Sequence, residues 1–428
     1  MPSFPAPRIA SAHATPASQR RTVSREPRLA VALLTVYALL CAVRQPGPEP
    51  VRDEPALLAA AERLLEGQPA APGAEPDQRA WLWHGPGLVA LLAPLVALDL
   101  PLTVIRFLGP LLLAGAVVLF HRVLRARLAP RPALVWTTAL ALYVPFGAVL
   151  GTVQKEPLAI ALVAAAMLAL TRGLESGRPR ALVAAGLALA ALAMVRLEYG
   201  IVALGLLALA PAWWAIRRRP PAAARLAAVA AVAVAACLPW LAYTQHLSGQ
   251  ALYWTSSAGL SLFWMSPTLP GETGQWHSPV RVYRDPALAA YRPLFRRLDR
   301  VHPLDSDLEL RRRAIANVRA RPGAYARNLA ANVSRLLFSV PARSSRSAVQ
   351  LGSLLIFNGA LVLGLAWAAR ALLRRCRSHA LPPETVPFAL LAVLAVAVHV
   401  PPSASPRMLL PVVPLLMWFL AQAGCPRR

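Results

Sequence analysis

Lysine is almost missing from this chain: Lys155 is the only one among 45 basic residues, and acidic residues number 19. With the excess of Ala and Pro, that bias reads as high-GC coding and points to a bacterial source. Cysteine is scarce too. The four thiols, Cys41, Cys237, Cys376 and Cys425, show no metal-ligand spacing and imply no disulfide framework. No Gly-rich phosphate loop, His/Cys metal motif or serine-hydrolase elbow occurs, which argues against the common nucleotide-binding and hydrolase architectures. No repeat at a fixed period is present either. The basic tail, residues 1–27, has no apolar signal region of its own, so the first apolar run is expected to act as an uncleaved signal anchor.

What the chain does have is apolar sequence: hydrophobic residues make up 57% of 428, more than a soluble core of that length needs. A span takes about 20 mostly apolar residues. Candidates centre on Leu29 to Val43, Val104 to Phe120, Leu134 to Leu150, Leu158 to Leu170, Ala181 to Val195, Ile201 to Ile216, Leu226 to Tyr243, Gly352 to Ala369, Val386 to His399 and Met408 to Ala421. The expected fold is therefore an all-α polytopic transmembrane helix bundle of about ten spans. Leu88 to Leu98, between Pro86 and Pro101, is too short to cross and reads as an interfacial or re-entrant helix.

The net charge of +26 suggests nucleic acid at first sight, but the arginines gather just outside the spans. Arg20, Arg21 and Arg25; Arg122, Arg125, Arg127 and Arg131; Arg172, Arg178 and Arg180; Arg217, Arg218, Arg219 and Arg225; Arg370, Arg374, Arg375 and Arg377; and Arg427 and Arg428 close alternate loops. These loops read as cytoplasmic, both termini lie inside, and no nucleic-acid partner is implied. Four segments then face outward: Arg44 to Leu102, the turns at Gln154 to Pro157 and Arg196 to Tyr199, and Thr244 to about Ala348. The division expected is a basic tail (1–27), an N-terminal membrane core (28–243) holding the first outside loop (44–102), a large outside loop (244–348), and C-terminal spans with a short basic tail (349–428).

In the large loop, Tyr253, Trp254, Phe263, Trp264 and Trp276 suit the headgroup level of a bilayer. Ser306 and Glu309 form a capping-box pattern opening a helix from about Asp307 to Arg321, which Pro322-Gly323 interrupts. Tyr325, Leu329, Val333 and Leu336 then mark the apolar face of a second amphipathic helix.

Ionisable residues at the outward helix ends are the candidates for chemistry. Asp53 and Glu54 precede a surface helix that begins at Pro55 and ends at Gly67; either acid caps that helix or serves as a catalytic base. Lys155 and Glu156, with Pro157, start another helix beside the bilayer. They form a capped, snorkelling pair, or a second acid of the site with an ammonium facing a phosphate. Arg196 and Glu198 form a short outer turn or a charge pair within the bundle, where ionisable groups point to function. His84 is a structural histidine beside tryptophans or a ligand. Arg407 anchors the last span or binds a phosphate.

This order of motifs resembles the membrane glycosyltransferases of the dolichyl-phosphate-mannose-protein mannosyltransferase type, including the lipid A aminoarabinose transferase branch, all with the GT-C fold. The resemblance runs from about Ala30 to Ala421. Val51-Arg52-Asp53-Glu54 looks like the family's first-loop acidic motif, whose aspartate is taken as the base. Ala193 to Gly200 is similar to a segment with a Thr-Arg-Pro-Glu-Gly type turn, and Pro239-Trp240 and Pro406-Arg407-Met408-Leu409-Leu410-Pro411 also look like recurring segments. Two departures are plain: His84-Gly85-Pro86 stands where members commonly have Lys-Pro-Pro, and Pro55-Ala56 follows the acidic pair in place of an aromatic residue.

The resemblance implies a GT-C-like enzyme of the bacterial inner membrane that moves a hexose or pentose from a polyprenyl-phosphate donor to a lipid, glycan or protein hydroxyl on the non-cytoplasmic side, with inversion. Asp53 would be the base. Glu54 or Glu156 would orient the acceptor or a divalent metal, and Lys155, Arg196, Arg407 and His84 would meet the donor phosphate. The alternatives are a flippase for a lipid-linked sugar, which needs the same contacts and no base, and a non-catalytic scaffold of envelope assembly.

Overall fold

Proline and charge set the helix boundaries. A computed structural model describes residues 26–67, 79–217, 220–266, 269, 271–341, 347–378 and 381–425. The basic tail through Arg20, Arg21 and Arg25, together with Arg218, Arg219, Arg427, Arg428 and the Cys376 side chain, lies outside the described residues. Among those described, every regular element is a helix. The N-terminal part forms α1 (Glu26–Arg44), α2 (Glu54–Leu65), α3 (Arg79–His84), α4 (Pro86–Ala97), α5 (Leu102–Ile105), α6 (Leu108–Arg125), α7 (Pro130–Ala141), α8 (Lys155–Ser176), α9 (Pro179–Val195), α10 (Glu198–Arg217) and α11 (Pro220–Ser248). Next come α12 (Ala258–Met265), α13 (Pro279–Arg284), α14 (Arg292–Leu298), α15 (Pro303–Ala320) and α16 (Pro322–Phe338), and then α17 (Ala348–Ser378), α18 (Thr385–Ala397) and α19 (Val413–Gly424). Seven of these open on proline, where the missing N–H is no loss and φ is already helical.

The protein is an all-α membrane bundle. Six helical stretches are long and apolar enough to cross a bilayer: Pro27–Arg44, Leu102–Arg125, Lys155–Ser176, Pro221–Ser248, Ala348–Arg375 and Pro406–Gly424. Shorter apolar helices are Pro86–Ala97, Pro179–Val195, Glu198–Trp213 and Thr385–Ala397. The expected crossing at 134–150 is not one continuous helix. The α-helical part stops at Ala141, and Val144–Val149 continues as a 3-10 turn with Pro145 at its start, because Pro145 has no N–H for the carbonyl of Ala141, four residues before it, and its ring would clash there.

At the centre, α8 packs between α6 and α9, and α9 packs on α11. The buried stripe of α8 is Ala159, Ile160, Val163, Ala164, Met167 and Thr171. Small side chains there let neighbouring backbones approach, which matters in lipid because dispersion rather than water exclusion holds helices together. The short helix α4, expected as interfacial or re-entrant, lies against the bundle. Its Leu88, Val89, Leu92 and Ala93 are buried, and it packs against α2 and α9.

The two ends of the bundle differ chemically. At one end arginines tie helices together: Arg127 pairs with Glu175 and Glu384, both at 2.5 Å, Arg225 donates to the Leu174 carbonyl at 2.6 Å, and Arg375 donates to those of Gln422 and Ala423. Cations on terminal carbonyls satisfy orphan acceptors and suit the helix dipole. The other end carries the charged cluster described below.

Three expectations for the long segment between α11 and α17 change. The aromatic rings do not line a headgroup layer: Phe263, Trp264, Tyr291 and Phe295 pack on one another with centroids 5.0–6.4 Å apart, and Tyr253 and Trp254 are buried. Aromatic pairs in such offset or edge-on contact build a small core of their own. The helix expected from Asp307 starts earlier, at Pro303, with His302 Nδ1 accepting the Leu304 N–H. Ser306 instead donates to the Leu298 carbonyl at 2.9 Å, and Glu309 pairs with Arg297, Arg312 and Arg313.

The third change concerns α16. Its buried face is largely polar: of the expected apolar stripe Leu336 is buried and Val333 is exposed, and Asn328, Asn332 and Arg335 are buried beside Leu336. These side chains serve backbone groups. The Asn332 amide faces the carbonyls of His399, Val400 and Pro402 at 3.2, 2.9 and 2.7 Å, and its oxygen accepts the Ala404 N–H at 2.8 Å. Arg335 donates to the carbonyls of Thr273 and Gly274. One asparagine therefore fixes the 399–404 turn. Asn332→Leu leaves those groups buried without partners and is expected to cost about 2–3 kcal/mol, read as a lowered Tm of the detergent-solubilised protein.

Candidate functional site

The site begins with a buried ion pair. Glu54 and Arg106 have fully buried side chains, and Arg106 Nε and Nη2 donate to the two carboxylate oxygens at 2.9 and 2.7 Å. Glu54 also accepts the N–H groups of Val51 (2.9 Å) and Val153 (2.7 Å), and Arg106 also donates to the carbonyls of Gly47 and Glu49. Every hydrogen-bonding position of the carboxylate is in use, which is what makes such burial tolerable. Burial raises the Glu54 carboxyl, but Arg106 and the two N–H donors outweigh it and hold it below the ordinary glutamate range. Glu54 is thus turned away from solvent, contrary to the expectation that it faces a substrate. Its role is to tie the first loop to the 151–155 turn.

That turn is drawn in closely. Gly151 has φ +88, and a Cβ there would sit 2.8 Å from the Arg44 carbonyl carbon, so only glycine suits the position.

Pinning Glu54 presents its neighbour. Arg52 takes φ +59, a left-handed conformation that L-residues adopt at a cost. Asp53 makes no capping bond to α2. Instead its carboxylate accepts from Arg407 at 3.2 Å, with the two side chains 36% and 45% exposed. Burial raises the Asp53 carboxyl, but nearby cations, Arg407 foremost, hold it below its usual value.

Arg407 enters from the opposite side of the sequence, at the start of the 3-10 segment Pro406–Val412 that leads into α19. Its Nε lies 3.8 Å from Glu156, which sits with Lys155 in the first turn of α8. Glu156 also accepts from Arg196 at 3.1 Å. Arg196 stands at the C-terminal end of α9 and grips Glu198, the first residue of α10, at 2.7 and 2.8 Å. The 196–199 segment is a turn between α9 and α10 that carries this ion pair. Burial opposes the charge of Arg196, yet Glu198 and Glu156 outweigh it and raise its pKa.

Asp53, Arg407, Glu156, Arg196 and Glu198 therefore form one chain of alternating charge across five helix ends. Glu156 and Arg196 are its floor, at 3% and 4% exposure, while Asp53, Arg407 and Glu198 reach its mouth. Lys155 lies close enough to feel Glu198, Arg196 and Glu156 electrostatically. His84 is buried at the edge, pushed down to about 3 by burial and then by Lys155, and its Nδ1 has no partner among the described residues. His399 is pushed down to about 4 by burial, with Nε2 4.0 Å from Glu198.

Asp53, Glu156, Lys155, Arg196, Arg407 and His84, marked from sequence, thus come together, and Glu54 does not. Sequence reading passed over His399 and Arg106. The signal for both is an ionisable residue at the edge of an apolar run. Glu54 or Glu156 was expected to orient either the acceptor or a divalent metal. Among the described residues no three His, Cys, Asp or Glu side chains form a ligand group, and Asp53, Glu156 and Glu198 each face a guanidinium. These residues do not fit a divalent ion.

No family model matches the sequence, and no curated protein matches it. Among solved structures, the chain is similar to the archaeal oligosaccharyltransferase AglB from Archaeoglobus fulgidus in complex with an inhibitory peptide and a dolichol-phosphate, at 14% identity and a TM-score of 0.48. The match covers 92% of this chain and 50% of that one, so this chain spans about half that protein's length.

Arg106→Leu strands the Glu54 carboxylate and is expected to lower stability by about 3–5 kcal/mol. Because the Glu54 pKa is lowered on folding, its contribution is full above the ordinary glutamate value of about 4.3 and is lost as pH falls through the lowered value. Melting of Glu54→Gln should therefore lose stability less steeply on acidification than the wild type.

Proposed function

We propose that this chain is a GT-C-type glycosyltransferase of the bacterial inner membrane, with both termini cytoplasmic. It moves a sugar from a polyprenyl-phosphate donor to a lipid, glycan or protein hydroxyl on the non-cytoplasmic side, with inversion. The observation that carries the reading is that Asp53 and Glu156, about one hundred residues apart in the chain, share Arg407. A solvated carboxylate next to cations at a bilayer edge is what transfer from an anionic lipid requires.

In this reading the acceptor O–H gives its proton to Asp53 while its oxygen bonds to C1 of the sugar and the C1–O bond to phosphate breaks. The electron pair of that bond leaves on the lipid phosphate. The leaving group gains charge and needs no proton, so cations matter more than an acid. Arg407 and Lys155, at the accessible side, neutralise it, and Arg196 supports them from the floor through Glu156. Arg407 leaves Asp53 for the donor phosphate, which frees the carboxylate as a base. His84, neutral, offers the phosphate a hydrogen bond. Glu54 takes no part in the chemistry.

Asp53→Asn should reduce transfer of labelled sugar from polyprenyl phosphate by about 10²–10⁴-fold, with melting and donor binding retained. Full activity in that variant excludes Asp53 as the base. Arg407→Ala should weaken donor affinity by about tenfold or more, and Arg407→Lys should recover part of it. Product formed by wild type in detergent establishes an enzyme; sugar movement seen only in sealed vesicles establishes a flippase instead.

A further inference from the structure

Next to the charge chain lies a group of polar atoms that the protein leaves unpaired. The Tyr199 hydroxyl, His399 Nε2 and Ser405 Oγ are buried with no hydrogen-bond partner among the described residues. Their residues are 2%, 2% and 4% exposed. Buried polar groups are nearly always satisfied, so several orphans at one place call for a partner from outside the chain.

They belong to the same corner. Tyr199 follows Glu198 directly, and its ring meets that of His399 edge-on, with centroids 6.4 Å apart. His399 Nε2 stands 4.0 Å from the Glu198 carboxylate, beyond hydrogen-bond reach. Ser405 is the N-cap of the segment that carries Arg407. Backbone constraints make the corner rigid. Trp254 covers Gly200, where a Cβ would lie 2.3 Å from its ring, and Asn332 holds the carbonyl of His399 and the N–H of Ala404.

The chemistry of the set is selective. Glu198 accepts only, and the phenol and the serine hydroxyl both donate and accept. The imidazole, kept neutral by burial, has one nitrogen of each kind. A phosphate, which only accepts, has no use for Glu198. A ring bearing several hydroxyls uses all of them.

We propose that Glu198, Tyr199, His399 and Ser405 form the subsite for the sugar ring of the donor, beside the phosphate contacts of Arg407 and Lys155. This rests on the transferase reading and adds to it the residues that set sugar choice. Specificity built on hydrogen bonds to hydroxyls is strong, because the wrong sugar leaves buried groups unpaired.

The test uses the full chain in detergent with two probes, polyprenyl phosphate alone and a panel of its hexosyl and pentosyl conjugates. Tyr199→Phe and His399→Gln are expected to bind polyprenyl phosphate as wild type does. Their affinity for the preferred conjugate should fall about tenfold, with a flatter preference across the panel. Arg407→Ala should weaken both probes alike. If both variants keep wild-type affinity and preference for the conjugates, the subsite is overturned while the transferase reading stands. If wild type binds neither probe, both fall. Tyr199→Phe removes one oxygen and decides alone should the histidine variant fail to fold.

Discussion

The buried Glu54–Arg106 pair is the constraint on which the site depends. Two opposite charges with no solvent contact are held by two guanidinium bonds and two backbone N–H groups, from the first loop and from the turn before α8. Desolvation on this scale is offset only when every lone pair is used. The geometry that satisfies it fixes residues 51–54 against residue 153, and Asp53 is carried into place by its neighbour. Adjacent carboxylates thus end with opposite fates, one sealed as a strut and one left open at the mouth.

The bundle itself was legible from hydropathy, because apolar length and flanking arginines report directly on what lipid and water tolerate. The 134–150 run was misread because composition is blind to a proline that stops a helix midway. Residues 322–338 were misread for a subtler reason. The stripe Tyr325, Leu329, Val333 and Leu336 has the right period, yet only Leu336 of it is fully buried, beside Asn328, Asn332 and Arg335, since what lies opposite is a loop whose carbonyls need donors. The expected capping box failed likewise, because Ser306 bonds to the Leu298 carbonyl and Glu309 pairs with Arg297 of α14 and with Arg312 and Arg313 of its own helix.

At the site, sequence could mark ionisable residues at helix ends but could not rank neighbours. Asp53 and Glu54 are equivalent on paper, and only the position of Arg106, 52 residues on from Glu54, separates them. Nor could sequence order the cluster. Asp53, Glu156 and Glu198 alternate in space with Arg407 and Arg196, an arrangement assembled from five separate helix ends. Alternation keeps each charge neutralised before any ligand arrives, so an incoming anion competes for cations that are already oriented.

Lys155 gives the molecule a further property. It is the only lysine in the sequence, and it stands beside the charge chain, close enough to feel Glu198, Arg196 and Glu156. An amine-directed reagent, an acylating group or an aldehyde with reductant, therefore finds a single ε-amino group to modify in the protein, in the first turn of α8. Protection of that one nitrogen becomes a direct gauge of occupancy, independent of any knowledge of what the ligand is.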